Sequence, residues 1–513
     1  MPLRKQPKSL VDLSICESAQ VIFKLCVQIE SNWGDYNEPM TRTQIQILQN
    51  HLLETVPLSL LDKLYERRSQ SLEYDLRDHR ILLGVYLHRN LRSLSTLSVS
   101  LRSITSDNFW LQVLPTLKNI VELDFKLMCT DEILKVVGDN CFKLESMNCI
   151  SKMSTVNRNS PNNLNFNALR VELFVSDEGL SSLSNCKKLK KVTMNRKINS
   201  QCAGKKPTID GIRNLVKSLP ALECLTFDDL GSVISSGMDG CGPLSLLQLS
   251  DTHPTPQHIK EMARLCPNLK ELLLIRPINM DNGSFDNSTL GTSYNDTVYG
   301  SDVLTCLGST NLKLELLGLE NFSFDDNLIN YLTIKGHHLT SLQLYGHCDQ
   351  ITSEEILLIG EACPNLVGLH LLGLSSERKN MKSFYSRKPK IIFKHLSCIS
   401  LGGGNWDPCT ILPICIIHAQ NLVRMSLFNR GCEITLDDLF SELMSLHKFQ
   451  KLKVLHLYRG CVISFQTLQS FVFHCPSLSI VKVTPTHDLS RTQVDVFVRE
   501  LSALNYDVIV NVV

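Results

Sequence analysis

Four cysteines recur in similar four-residue phrases. Cysteine is the residue type in this chain that could take part in the widest range of chemistry. The phrases are Cys141-Phe-Lys-Leu144, Cys266-Pro-Asn-Leu269, Cys363-Pro-Asn-Leu366 and Cys475-Pro-Ser-Leu478. A thiolate binds zinc or acts as a nucleophile, but zinc sites need close pairs such as Cys-x-x-Cys with further Cys or His partners. None of the 19 cysteines forms such a pair. We therefore expect small buried packing residues at these positions, and no metal.

Motifs of catalysis are missing from the sequence. The one glycine run, Gly402-Gly-Gly404, is followed by Asn405 and Trp406, whereas a phosphate-binding loop needs a Lys and a Ser or Thr at its end. Neither G-x-S-x-G nor H-E-x-x-H occurs. We therefore expect a protein that is not an enzyme, with no catalytic residue and no cofactor.

Composition argues against a nucleic-acid-binding, membrane or secreted protein. The 513 residues are 43% hydrophobic but only 6% aromatic, as expected where aliphatic side chains build a layered core. With 52 basic against 51 acidic residues, the chain has no general attraction for nucleic acid or anionic membranes. The basic start shows no signal-peptide pattern, and no apolar run approaches the length of a membrane span. We expect a cytoplasmic or nuclear protein with reduced thiols.

The cysteine phrases mark the boundaries of a repeat. Each closes an apolar, helix-like segment and precedes a stretch of the form L-x-x-L-x-L, such as Leu269-Lys-Glu-Leu272-Leu-Leu274. In the clearest unit, 338–363, the alternation through Leu342 and Leu344 predicts a half-buried strand. Ser353 then suggests the N-cap of a helix that ends at Cys363.

The period and the L-x-x-L-x-L pattern resemble leucine-rich repeats, and the helix-ending cysteine before Pro-Asn-Leu resembles their cysteine-containing, F-box-associated subclass. The resemblance implies an α/β solenoid with parallel strands on its concave face, helices outside and a helical N-terminal cap. A last strand is expected within 506–513. Strand starts are predicted near Leu94, Ile120, Leu144, Leu169, Leu189, Leu222, Leu244, Leu269, Leu314, Leu339, Leu366, Leu396, Leu422, Leu452 and Leu478.

Two domains are predicted from where the repeat begins. Residues 1–90 lack the repeat and read as a small helical module, either a cap or an adaptor-binding segment. Residues 91–513 form the repeat array. Loop insertions are expected near 279–301, which is rich in Asn, Gly, Ser, Thr and Asp, and near 375–394, which is strongly basic.

A short helical module followed by leucine-rich repeats resembles substrate receptors of cullin-type ubiquitin ligases. Leu10 and Ser14 resemble the opening of an elongin-binding box, as in receptors of the Zyg-11 type, although Ser18 stands where that box has an apolar residue. Residues 56–61 resemble a cullin-contact segment or the start of an F-box without its Cys and Trp tail. The resemblance implies that residues 1–70 contact Skp1 or an elongin–cullin adaptor. The adaptor-contact candidates are Leu10, Ser14, Pro57, Leu60 and Leu61. The alternative is a plain end cap, which every solenoid needs.

The later predicted strands carry aromatic, histidine and polar side chains at outward-facing positions. We expect them to contact a protein partner on the concave face, because they offer large contact area at limited entropic cost. The candidate contacts are Gln343, Tyr345, His370, Ser426, Phe428, His456 and Tyr458.

The second insertion holds the one concentrated basic patch. It either binds an acidic partner, a phosphopeptide, RNA or an anionic headgroup, or is a solvated loop. Its basic residues include Arg378, Lys379, Lys382, Arg387, Lys388 and Lys390.

Together these patterns favour a protein-binding module that serves as the substrate-recognition subunit of a cullin-RING ubiquitin ligase. The first alternative is a repeat scaffold in another pathway. The second is a binder of RNA or anionic headgroups through the basic loop.

Overall fold

The computed structural model describes most of the chain. The described residues are 10–67, 79–95, 107–125, 129–149, 175–194, 207–227, 230–235, 238, 242–276, 297–348, 351–374, 391–404, 406, 408–429, 433–458, 460–484, 489–504 and 506–512. They belong to two compact units, divided between Leu246 and Leu247. The boundary predicted near residue 90 lies inside the first of these units.

The first unit, Pro7–Leu246, begins with a group of helices and continues with alternating strands and helices. Its helices are α1 (Leu10–Trp33), α2 (Pro39–Thr55), α3 (Leu58–Arg67), α4 (His79–Tyr86), α5 (Asp107–Val113), α6 (Asp131–Asn140), α7 (Asp177–Ser182), α8 (Ile209–Ser218) and α9 (Leu230–Ser235). Its strands are β1 (Ser93–Ser95), β2 (Glu122–Asp124), β3 (Ser146–Asn148), β4 (Lys191–Thr193) and β5 (Cys224–Thr226). These strands pair in parallel, each with the next along the chain.

The second unit, Leu247–Val513, repeats the same alternation with longer strands. Its strands are β6 (Gln248–Asp251), β7 (Glu271–Ile275), β8 (Leu316–Glu320), β9 (Ser341–Cys348), β10 (Gly368–Leu374), β11 (Cys398–Gly403), β12 (Arg424–Asn429), β13 (Ile434–Thr435), β14 (Val454–Leu457), β15 (Cys461–Val462), β16 (Ile480–Val483) and β17 (Ile509–Val512). Its helices are α10 (Pro256–Leu265), α11 (Thr297–Ser309), α12 (Asp326–Lys335), α13 (Ser353–Ala362), α14 (Pro408–Ile416), α15 (Asp437–Leu446), α16 (Phe465–His474) and α17 (Arg491–Ala503). All these strands pair in parallel in chain order, except that β13 and β15 form a separate pair.

Strand starts follow the repeat phrase, as predicted. β7 begins two residues after Leu269, and β10 begins two residues after Leu366. At the second of these starts, the N–H groups of Val367 and Gly368 both donate to the carbonyl of Thr340 in the preceding repeat, at 2.7 and 2.9 Å. The predicted start near Leu169 lies outside the described residues.

Alternation at period two decides which strand residues reach the core. In β7 the side chains of Leu272 and Leu274 are fully buried, while their neighbours on the opposite face are half-buried. The register then places Leu317 beside Leu272 and Leu342 beside Leu317. Buried leucines thus stack from repeat to repeat, which is how single repeats that cannot bury their own apolar face become stable.

The cysteines of the repeat phrases end helices, as predicted. Cys141, Cys266, Cys363 and Cys475 are the C-cap residues of α6, α10, α13 and α16, and all four are fully buried. Burial raises the pKa of the Cys266 and Cys363 thiols to about 12. A thiol that stays protonated at neutral pH is a poor nucleophile and a poor metal ligand. These cysteines therefore act as packing residues.

The third residue of the phrase joins neighbouring repeats. The side-chain amide of Asn365 donates to the carbonyl of His337 at 2.8 Å. At the equivalent position of a later repeat, the hydroxyl of Ser477 donates to the carbonyl of Gln450 at 2.7 Å. A short polar side chain at this position satisfies a carbonyl that the preceding helix end or turn leaves open.

The N-cap of α13 is Thr352, so the prediction of Ser353 was wrong by one residue. The Thr352 hydroxyl accepts from the N–H of Glu354, and the Glu355 carboxylate accepts from the N–H of Thr352 at 2.7 Å. This reciprocal pair is a capping box, and it requires the hydroxyl residue three positions before the glutamate. Ser353 is the first helical residue.

Helix starts are also linked across repeats by aspartates. The N–H and hydroxyl of Thr208, which caps α8, both donate to the carboxylate of Asp177 in α7, at 2.8 and 2.7 Å. Ser464, which caps α16, donates in the same way to Asp437 in α15, at 2.9 and 3.0 Å. One carboxylate therefore stabilises the first turn of its own helix and holds the next repeat in register.

The N-terminal helices bury a small core of their own. Ile22 in α1 and Leu64 in α3 are almost fully buried, and these two helices contact each other. The Tyr36 ring, in the turn between α1 and α2, meets the Phe109 ring of α5 edge-on, with centroids 4.8 Å apart. The helical module therefore contacts the helix of the first repeat.

The two predicted insertions lie mostly outside the described residues, which omit 277–296 and 375–390. The chain resumes at α11, so residues 297–301 of the first predicted insertion are helical. Among the described residues, no helix is both long and apolar enough to cross a membrane. The architecture is an α/β leucine-rich-repeat solenoid preceded by a helical N-terminal segment.

Candidate functional site

The strands of the second unit expose one face. In β9 the side chains of Leu342 and Leu344 enter the core, so Gln343 and Tyr345 point to the opposite side, where both are half-buried. The same alternation holds in β12, where Met425 is buried and the residue after it is half-buried. We call this side, from β7 to β16, the strand face.

Four predicted contact residues fall in one row across the strand face. The register pairs Gln343 with His370, His370 with Ser400, Ser400 with Ser426, and Ser426 with His456. We call these five residues, with Lys482 opposite His456 on β16, the central row. Neighbouring strands lie about 4.8 Å apart, so the five strands from β9 to β14 place these side chains over roughly 19 Å.

A second row lies next to the central row and is more apolar. The register pairs Tyr345 with Leu372, Leu372 with Gly402, and Gly402 with Phe428. We call these four residues the aromatic row. It exists only because β9, β10, β11 and β12 are six to eight residues long.

Glycine at position 402 makes room for the Phe428 ring. A Cβ built on Gly402 would come within 2.0 Å of Phe428 Cδ1. The ring therefore lies over the backbone of the neighbouring strand. Trp406, which is 2% exposed, donates its indole N–H to the Phe428 carbonyl at 2.9 Å and so fixes the backbone beneath the ring.

Two tyrosines each hold a central-row side chain on their own strand. The Tyr345 hydroxyl donates to Gln343 Oε1 at 3.0 Å, and the Tyr458 hydroxyl lies 3.0 Å from His456 Nδ1. Tyr458 is exposed and follows the last residue of β14, so this predicted contact lies just beyond the strand. Burial, and then the nearby Glu320 carboxylate, raise the pKa of Tyr345. Tyr345 therefore remains a hydrogen-bond donor at neutral pH.

Basic side chains surround the C-terminal part of the central row. Burial, followed by the charge of Arg424, lowers the pKa of His370. Burial, followed by the charges of Lys482 and Arg424, lowers the pKa of His456. Both imidazoles are therefore neutral at pH 7, while Arg424 and Lys482 carry full positive charges.

Sequence reasoning missed Ser400, Arg424 and Lys482. Each occupies an outward position of the alternation that correctly placed Gln343 and Ser426. The signal was therefore present in the sequence.

Comparison with known proteins gives likeness only to solved structures. No protein-family model matches the chain, and no curated protein matches it. The chain is similar to the crystal structure of the Rad7 and Elc1 complex in yeast, with 14% identity over 95% of this chain and 96% of that chain and a TM-score of 0.45. It is also similar to the leucine-rich repeat-containing protein LegL7 from Legionella pneumophila, with 12% identity over 55% of this chain and 82% of that chain and a TM-score of 0.29. The fold assignment rests on the strand order, register and burial described above.

The predicted adaptor-contact residues are spread over two helices of the N-terminal module. Leu10 is the first residue of α1 and Ser14 is exposed on it, while Pro57 is exposed just before α3. Leu60 is half-buried, and Leu61 is 3% exposed and faces the interior of the module.

α1 presents an outer face that the sequence pattern had not singled out. Val21 is 56% exposed and Leu25 is 37% exposed. Their spacing from Ser14, at i+7 and i+11, places the three residues on one side of the helix. Exposed apolar side chains on one helix face are typical of a surface that another protein covers.

The basic residues predicted between 378 and 390 lie outside the described part of the chain. Within the described part, no group of three or more His, Cys, Asp or Glu side chains is arranged to hold a metal ion.

Proposed function

We propose that the strand face of the second unit binds a segment of a protein partner. The observation that carries the proposal is the alignment of Gln343, His370, Ser426 and His456 in one row beside the ring of Phe428. An ordered row of hydrogen-bonding groups beside an apolar row resembles the mixed surface of protein interfaces. Roughly 19 Å of surface is enough for about six residues of an extended peptide.

The side chains of this face are held in place before a partner arrives. Tyr345 and Tyr458 hold Gln343 and His456 by hydrogen bonds, and Gly402 lets the Phe428 ring lie on the sheet. Side chains that are already ordered lose less conformational entropy on binding. Aromatic residues at such sites carry a large share of the binding energy.

We further propose that the protein is the substrate-recognition subunit of a cullin-RING ubiquitin ligase. This role is supported by the resemblance of Leu10 and Ser14 to the opening of an elongin-binding box, and by the exposed Val21 and Leu25 on the same side of α1. In this proposal α1 binds the adaptor with its outer face and the N-terminal module with its inner face. Capping the array and recruiting an adaptor are then compatible roles.

Partner binding is tested by capturing proteins from cells with the wild-type chain and with Y345A/F428A. We expect the double variant to lose a partner that the wild type retains, because an interfacial aromatic residue commonly contributes about 2 kcal/mol or more. The matched control is I334A/L358A, which removes two exposed apolar side chains from α12 and α13 in the neighbouring helices. Equal loss with the control, or no loss with Y345A/F428A, would contradict binding by the strand face.

The ligase role is tested on α1. V21E/L25E should abolish co-purification of Skp1, an elongin or a cullin, because two carboxylates cannot be buried without partners. The control M40E/I47E places the same charges on exposed positions of α2 and should leave recovery intact. Recovery of no ligase component by the wild type would leave a scaffold in another pathway as the function.

A further inference from the structure

The charges on the strand face are distributed unevenly. The described strands from β10 to β17 contain no Asp or Glu, whereas β7 and β8 carry Glu271 and Glu320. The later strands instead contribute Arg424, Lys482, His370 and His456. Within the described residues, no carboxylate forms an ion pair with Arg424 or Lys482.

The register places these basic residues close together. Lys482 lies directly opposite His456, and Ser426 lies opposite His456 on the other side. Arg424 is two residues before Ser426 and therefore on the same face of β12, about 7 Å away along the strand. Burial lowers the pKa of His456, and the charges of Lys482 and then Arg424 lower it further.

We propose that this basic part of the strand face binds an acidic, Asp- or Glu-rich segment of the protein partner. The inference rests on the proposed function and specifies the chemistry of the partner. Arg424 and Lys482 receive carboxylates of the segment, His456 and Ser426 between them donate or accept hydrogen bonds, and Phe428 receives an apolar group. Arginine and lysine without carboxylate neighbours attract an anionic chain from a distance and set its register on binding.

An acidic peptide fits this surface better than a nucleic acid. Only two of the four basic side chains are charged at neutral pH, whereas binding to a nucleic-acid backbone typically uses about six to ten phosphate contacts. The chain as a whole is also close to neutral, with a net charge of +1. Two cations flanking short polar and apolar side chains suit a segment with alternating acidic and apolar residues.

The proposal is tested by fluorescence anisotropy with a labelled oligo-glutamate of about ten residues, long enough to cross the central row. At about 50 mM salt the full chain should bind this peptide, and the oligo-glutamine of equal length should not bind. R424E/K482E should weaken binding about tenfold or more, because like charges replace both contacts. The matched control K448E/R499E changes the net charge equally at exposed positions outside the strands and should leave the affinity within about twofold.

Each alternative outcome overturns the inference. Equal loss in both double variants would mean that net charge alone attracts the peptide. Absence of oligo-glutamate binding, or tighter binding of a ten-nucleotide RNA that is lost in R424E/K482E, would exclude an acidic segment as the ligand. If the cellular partner is lost in Y345A/F428A but retained in R424E/K482E, the proposed protein binding stands and the acidic partner does not. If both Y345A/F428A and R424E/K482E retained the cellular partner, the proposed protein binding and the acidic partner would both be wrong.

Discussion

The strands of the two units bury their central residues alike but differ in the surface that they expose. In the first unit each described strand is three residues long, whereas β9, β10, β11 and β12 in the second unit are six to eight residues long. The central residue of a short strand, such as Leu225, is as deeply buried as Leu369 in a long one. Additional strand length therefore adds nothing to the burial of that central position. It adds a further outward-facing residue per strand, and those residues form the aromatic row.

The outward side chains are also used differently. In the first unit they bond across strands, as Ser93 does with Glu122 at 3.1 Å and Ser95 with Asp124 at 3.3 Å. In the second unit Tyr345 and Tyr458 bond along their own strands. Both patterns hold outward polar groups by hydrogen bonds, but the described strands of the first unit carry no aromatic side chain, and aromatic rings supply large contact area to a partner. This difference favours the second unit as the binding surface.

The largest predicted effect concerns the buried central residue of a strand in each unit. L225A in β5 and L369A in β10 should each cost about 2–5 kcal/mol of unfolding free energy, because each removes a fully buried side chain and leaves a cavity. Urea unfolding of the full chain measures both losses. L358A, at an exposed position of α13, should change stability by less than about 0.5 kcal/mol. A large loss in only one of the two core variants would mean that the repeats are not equivalent in packing.

The next effect concerns the aspartates that link helix starts. D177A in the first unit and D437A in the second should each lower the free energy of unfolding, measured by urea unfolding, by about 1–3 kcal/mol. The reason is that two hydrogen-bond donors of the next N-cap residue lose a charged acceptor. D438A is the matched control, since Asp438 is exposed in the same helix turn as Asp437. If D437A lowered the free energy of unfolding no more than D438A does, the bonds from Asp437 to the next repeat would contribute nothing beyond the interaction of a carboxylate with the helix dipole.

A smaller effect should appear on acidification, and a buried histidine in each unit should contribute to it. His88 and His447 are both buried, and each accepts a hydrogen bond at Nδ1 from the N–H two residues later. Burial lowers the pKa of both. The Asp62 carboxylate partly offsets this for His88, whereas for His447 the bond to the Ala419 carbonyl raises the pKa and the charge of His474 lowers it.

The sign of the pH dependence follows from these lowered pKa values. As pH falls below about 6.5, the unfolded chain takes up protons at these histidines before the folded chain does. Stability is therefore fully present above that pH and is lost below it. Unfolding free energies at pH 7.5 and 5.5 should differ less in H447Q than in the wild type, while the exposed-site control H395Q should retain the wild-type difference. An unchanged pH dependence in H447Q would contradict this origin.

Much of the fold was predictable because the leucine pattern carries it. The alternation around Leu342 and Leu344 predicts both the strand and the face of each residue. The capping residue was less predictable, because Thr352 and Ser353 both carry a hydroxyl and only Glu355, three residues after Thr352, distinguishes them. The link between Asp177 and Thr208 joins residues that are close only after the repeats have stacked. No repeating pattern in the sequence predicts this contact.

The candidate site was predictable residue by residue but not as a surface. The alternation of inward and outward side chains within each strand indicated that Gln343 and Ser426 face outward. These two residues lie in one row with His370 and His456 because of the register between five strands. That register is not visible in any single strand, and in β10 it also shifts between Leu372 and Leu374. The position of the Phe428 ring depends on Gly402 in the neighbouring strand, a contact that a single-strand pattern cannot contain.

The most direct test of the strand face is site-specific photo-crosslinking in cells. A photoreactive phenylalanine analogue is placed at Ser426 in β12 or at Thr193 in β4, which are both half-buried and outward-facing. If the second unit provides the binding surface, the residue at position 426 should crosslink to a discrete protein partner and the residue at position 193 should not. Crosslinks of equal yield from both positions, or from position 193 alone, would contradict the assignment.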